Sequence, residues 1–251
     1  GGPRVMEVAS LHVSILGEDE SSTPFQPAPG GAWNARPLYL DGMVEPLLIA
    51  EAPDHGIPGK VWDGGLILAE FLARNPALVK GKRAVELGAG TGLVGITAGA
   101  VGAREVLVTD LEEHVPIIVD TIALNRHLGL AHVQAVPLLW GSIFSPASEG
   151  GWDLVLGSDI VYEPTSWDPL VRTINSLSAE NTTVLIAHRP RHEDDAIFWD
   201  ALKSGYDVET FPFQSELYPL TDDITIYAAR LKRQPAGDEA EGQDGDVGDA
   251  K

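Results

Sequence analysis

With 44% apolar and 22% charged residues, this 251-residue chain has the make-up of a soluble globular protein with a real core. It holds no cysteine, which excludes disulfides, thiolate metal ligands and a cysteine nucleophile. A net charge of −20 repels phosphate backbones and favours basic partners, and no apolar run nears the roughly 20 residues that span a bilayer. Neither nucleic acid nor membrane is expected as a partner. With no signal-peptide pattern either, the cytoplasm is the expected compartment, a nuclear share being left open.

Residues 1–59 read as an N-terminal extension packed on the main domain. Val5–Leu16 alternates apolar residues as an edge strand would, Ser21–Gly31 reads as an extended loop, and Leu38–Ile49 supplies another short strand. The main domain takes residues 60–233. Its first helix covers Leu66–Ala73 and ends before Asn75-Pro76, with Trp62 at the helix start placed to cover a ligand or anchor the core. A strand at Ala84–Leu87, a helix over Leu93–Val101 and a strand at Glu105–Thr109 form a βαβ unit. A helix over Glu113–Leu128 and strands at Val133–Leu138 and Trp152–Leu156 follow. Then come a helix over Pro169–Leu177, a strand at Thr182–His188 and a helix over Ala196–Ser204. Tyr206–Phe213 and Ile224–Leu231 alternate as a closing antiparallel pair, and residues 234–251 read as a disordered acidic tail. The order predicts an α/β fold of the Rossmann-like type: a central, mostly parallel seven-stranded sheet with an antiparallel C-terminal strand and helices on both faces.

The chemistry centres on Ala84–Gly95, AVELGAGTGLVG. Gly88, Gly90 and Gly92 form a turn between strand and helix that brings bare backbone N–H groups and a helix N-terminus against a ligand. A dinucleotide fingerprint needs G-x-G-x-x-G/A, whereas Leu93 holds the sixth position here, which speaks against a nicotinamide cofactor. Glu86, two residues before Gly88, suits a nucleoside with a cationic tail. The loop is therefore read as a site for S-adenosylmethionine (SAM), plain strand–helix packing being the alternative. Asp110 lies 18 residues after Gly92, at the end of the next strand, where its carboxylate accepts from ribose hydroxyls or caps the following helix. Trp140 is placed to flank an adenine ring, and Asp159 and Tyr162 follow the Trp152–Leu156 strand at the edge where open α/β sheets bind ligands. Asp159 is expected to orient an amine and Tyr162 to shape its channel, helix capping and ordinary packing being the alternative. His188 and His192 are expected to face solvent rather than hold a metal, and with Arg189 and Arg191 stand where they can touch substrate.

Together these stretches resemble methyltransferase family 16, the seven-strand SAM-dependent enzymes that mostly methylate protein lysines. The resemblance rests on VWDGGLILAEFL, VELGAGTGLVGI, VTDLEE, LLWG and WDLVLGSDIVY, and covers roughly Val61 to Leu231. The last stretch carries the family's D-x-x-Y tetrapeptide at Asp159–Tyr162, and DDITIYAARLK resembles the branch acting on chaperones, AAA ATPases and elongation factors. Pro190, in AHRPRHEDDAIFW, departs from the family outline, as does the length of the first 59 residues. The resemblance implies a protein-lysine N-methyltransferase working as a monomer. SAM would be held by Trp62, Glu86, Gly88, Gly90, Gly92, Asp110, Leu111, Trp140 and Ser158, with Asp159 and Tyr162 at the reacting amine. Methylation of histidine or a small amine, and a non-catalytic SAM-binding interaction protein, are the alternatives.

Overall fold

The structure, a computed structural model, describes residues 33–142, 151–221 and 223–233. The expected strand at Val5–Leu16, the loop at Ser21–Gly31 and the acidic tail lie outside the described residues.

Seven strands form one sheet in the order β5-β4-β3-β6-β7-β9-β8: β3 (Arg83–Leu87), β4 (Glu105–Asp110), β5 (Val133–Pro137), β6 (Trp152–Ser158), β7 (Ser178–His188), β8 (Tyr206–Phe211) and β9 (Thr225–Leu231). The pairings from β5 through β7 are parallel, and β9 runs antiparallel between β7 and β8. This is the Rossmann-like sheet expected, and its chain order makes a switch point. The chain steps outward from β3 to β4 and β5, then returns to lay β6 on the other side of β3. β4 and β6 thus flank β3 on opposite sides, reached by crossovers that run in opposite directions, which opens a crevice at the carboxyl ends of β3 and β6.

Helices cover both faces. α1 (Asp63–Arg74), α2 (Leu93–Ala100) and α3 (Val115–Leu124) share one apolar core, while α4 (Trp167–Leu177) and α5 (Asp195–Gly205) share another. β3 feeds both, since successive side chains alternate faces. Ala84 joins the α1–α3 core, and Val85 and Leu87 join the α4–α5 core. A strand buried on both faces is apolar almost throughout, as the Ala84–Leu87 run suggests.

Before the sheet comes a hairpin, β1 (Asn34–Leu38) and β2 (Leu47–Glu51). The single strand expected at Leu38–Ile49 is instead the hairpin turn and the start of β2. Gly42 turns the chain at φ +95°, where a Cβ would lie 2.5 Å from the Ala73 carbonyl oxygen. The outer edge of β2 is satisfied by side chains of α3 and the residue after it rather than by a further strand. Asn125 Oδ1 accepts from Leu48 N at 2.9 Å, its Nδ2 donates to Leu48 O at 2.6 Å, and Thr121 Oγ1 accepts from Ala50 N at 3.2 Å. The helix expected over Glu113–Leu128 is shorter for related reasons. Pro116 sits in its first turn, and Asn125 ends it while turning to β2, so 3-10 turns flank the α-helical part.

Candidate active site

The crevice at the switch point is a cavity of about 710 Å³, within the range of roughly 300–1,000 Å³ that suits a small molecule or cofactor. Its floor is the turn after β3. Gly88 stands at φ +60°, and a Cβ there would lie 2.9 Å from the Trp140 ring and 3.0 Å from Ile160. Gly90, at φ +54°, would bring a Cβ to 3.2 Å from the Pro58 carbonyl oxygen. The loop is bare because both the left-handed backbone and the space require it. Gly92 differs. It precedes the first turn of α2, lies outside the cavity lining and faces Ile118, Ile96 and Val108, so it serves helix–sheet packing.

Asp110, at the end of β4, is tied to this turn. Its Oδ2 accepts from Gly90 N at 2.7 Å, its Oδ1 accepts from Leu111 N at 2.7 Å, and His114 Nδ1 stands 2.9 Å from Oδ1. Oδ2, with one donor, keeps a lone pair for a further donor such as a ribose hydroxyl. Glu86 projects to the α2 side and accepts from Gly95 N at 2.7 Å. Burial pushes its carboxyl up to about 8, the Gly95 amide pulls the other way, and the nearby Asp110 charge adds to the rise. A buried acid in that position gains from a cationic ligand. The bare cradle, the ribose-facing carboxylate and the acid that favours a cation together fit SAM.

The opposite wall comes from distant segments. Asp159, just beyond β6, stands at φ +51° with a buried side chain. Its N donates to Ala187 O at 2.9 Å, and its Oδ2 accepts from Gly64 N at 2.9 Å in the first turn of α1. The carboxylate thus sits at a helix N-terminus, where negative charge is favoured, but the helix is α1 rather than the one that follows it. A Cβ on Gly64 would lie 2.7 Å from that oxygen. Tyr162 lines the cavity half-exposed, and burial raises its phenol pKa, with Asp110 and Glu163 adding to the rise. Trp62 lines the cavity, partly exposed, with its Nε1 donating to Ile57 O at 2.8 Å. Leu111, Trp140 and Ser158 line the same space.

Two sequence expectations need amendment. His188 does not face solvent: its side chain is 1% exposed, and its Nε2 lies 3.0 Å from Asp195 Oδ2. Burial holds its pKa below the usual histidine value although Asp195 opposes this. Burial would push Asp195 up, but N–H donors at Arg191 and His192, with His188, outweigh it and hold the acid low. Arg189 is committed to ion pairs with Asp63 and Asp223, both at 2.8 Å. Arg191, by contrast, reaches the cavity. Sequence reading missed the roles of Ile57, Pro58 and Lys60, which line it from the segment before α1, and of His114. The i, i+4 spacing of Asp110 and His114 was the available signal for the last.

The lysine methyltransferase family profile matches residues 43–205. Protein N-lysine methyltransferase METTL21A of Danio rerio is 37% identical over 69% of this chain and 78% of its own length. EEF1A lysine methyltransferase 3 of Mus musculus is 33% identical over 72% of this chain and 76% of its own. Among solved structures, a ribosomal protein L11 methylase from Lactobacillus delbrueckii subsp. bulgaricus superposes at TM-score 0.52. It is 21% identical and covers 70% of this chain and 82% of its own. The glycopeptide N-methyltransferase MtfA complexed with SAM gives TM-score 0.52 at 14% identity, covering 68% and 88%. At those identities the structures bear on the fold.

Proposed function

Because this chain belongs to the lysine methyltransferase family, we propose that it transfers methyl groups from SAM to a lysine amine of a non-histone protein, a chaperone, AAA ATPase or translation elongation factor. The substrate class is supported by the relative named for EEF1A and by the ending Asp222–Lys232. The observation that carries the site assignment is the convergence of the glycine turn, Asp110, Asp159 and Tyr162 on one cavity.

Bound SAM supplies an electrophilic methyl carbon on a sulfonium; everything else falls to the protein. The glycine turn and Asp110 hold the nucleoside, and Glu86 favours the cationic end. Trp140 and Leu111 supply apolar walls for the adenine. A lysine amine, with an ordinary pKa near ~10.4, must shed its proton and be aligned before attack. Asp159 would accept a hydrogen bond from that amine and so orient its lone pair for attack. Tyr162 and Trp62 close the channel and keep water out. The proton leaves to solvent, so no dedicated base is needed. Fixing a nucleophile in this way can supply several kcal/mol of barrier reduction.

The test is methylation of a whole-cell lysate with radiolabelled SAM, resolved on a gel. Wild type labels a discrete protein band, and Asp159→Asn labels none while still binding SAM by calorimetry. Absence of any labelled protein with the wild type overturns the reading.

A further inference from the structure

Asp159 has two oxygens in different situations. Oδ2 is taken by the α1 amide, while buried Oδ1 accepts no hydrogen bond and faces Arg191 Nη2 at 3.2 Å. The pair is lopsided: the Asp159 side chain is 6% exposed, the Arg191 side chain 29%. Arg191 is fixed at its root, since its N donates to Asp195 Oδ2 at 2.9 Å, and its guanidinium stands 5.4 Å from the centre of the Trp62 ring. Both members line the cavity. The other acids around them are matched elsewhere. At the start of α1, Asp63 pairs with Arg189, as does Asp223 from the β8–β9 connection. Asp195 is engaged by His188 at the end of β7 and by two loop amides. Lys60 brings a further positive charge into the lining, and Tyr162 a phenol.

We infer that Arg191 is a positioning residue that sets the charge of the acceptor site: it neutralises Asp159 so that an arriving lysine is held as the free amine. The inference rests on the methyl-transfer reading above. A bare, buried carboxylate would bind an ammonium and raise its pKa, keeping the nitrogen unreactive. With the guanidinium in place, Oδ1 remains a hydrogen-bond acceptor but the site has little net pull on a cation, and a second cation beside Arg191 is repelled. The ammonium N–H bond breaks, its proton goes to water and nitrogen keeps the electron pair. That pair then forms the bond to the methyl carbon as the carbon–sulfur bond breaks and its electrons stay on sulfur.

The readout is kcat as a function of pH, from about 6.5 to about 10, against the labelled protein purified from the lysate and supplied at saturation. Wild type and Arg191→Lys rise over the same range. Arg191→Met rises about one pH unit higher, so its kcat is roughly tenfold lower near neutrality and recovers in alkali, while its KM falls. A Met curve that superposes on wild type, or is lowered by one factor at every pH, refutes the inference and leaves the methyltransferase reading standing. If the wild type labels no protein, both fall.

Discussion

The two walls of the cavity are built in opposite ways. Most of the wall that fits SAM comes from one continuous run, β3 to Leu111 just beyond β4, with Trp140 added after β5, and the parts of that run bond to one another: Asp110 to Gly90 N, Glu86 to Gly95 N, Thr109 Oγ1 to Glu86 O. The acceptor wall is assembled from the segment before α1, the end of β6 and the loop after β7. It is joined by contacts such as Asp159 to Gly64 N and Arg189 to Asp63, which span most of the domain. A locally built wall can be shared by many methyltransferases, whereas one assembled from distant segments changes whenever any of them changes. Specificity for the acceptor is therefore expected from the second wall.

The largest effect is expected at Asp159. Asparagine tolerates the left-handed backbone and its amide oxygen can still accept from Gly64 N. Asp159→Asn is therefore expected to fold and bind SAM but to lose on the order of 10²-fold or more in turnover, the scale set by lost alignment. Turnover within a few-fold of wild type would remove Asp159 from the chemistry. Gly88→Ala attacks the other wall. Strain of about 1–2 kcal/mol in the left-handed region, with the clash against Trp140, should weaken SAM binding about tenfold or more by calorimetry. An unchanged affinity would mean that the turn is not the cradle.

Glu86 ties the stability of the first wall to pH. Its folded-state pKa of about 8 exceeds the ordinary 4.5, so between these values the folded protein holds a proton that the unfolded chain has lost. The stability from this group is complete below about pH 4.5 and is lost as pH rises through about 8. Without SAM, the melting temperature of wild type should fall across that window relative to Glu86→Gln, and parallel curves would contradict the burial argument. Furthest from both walls, Asn125→Ala frees the outer edge of β2 and strands the Leu48 amide and carbonyl. It should cost about 1–3 kcal/mol in thermal melts, with SAM affinity unchanged.

The same division explains what could be read from the sequence. The β3–turn–α2–β4 run was legible because its signals are local: an apolar strand, glycines at fixed spacing and an acid one crossover later. Even there, Gly92 turned out to serve packing, since spacing does not say which way a glycine faces. The acceptor wall was legible only as isolated residues. Nothing near Asp159 announces that its partner is the Gly64 amide, and the polar stretch from His188 to Asp195 reads as solvated loop. In the fold, Asp195 gathers that loop inward and buries His188. The β1–β2 hairpin was missed as a hairpin because the outer edge of its second strand is completed by the side chains of Thr121 and Asn125, far along the chain, which no local pattern announces.

The central claim concerns the atom that receives the methyl group. The most direct measurement is mass spectrometric mapping of the labelled protein from the lysate after reaction with wild-type enzyme. Added methyl mass is expected on a lysine side chain, and is absent when Asp159→Asn replaces the wild type. Methyl mass on a histidine ring, or only on small molecules, would rule out lysine as the acceptor.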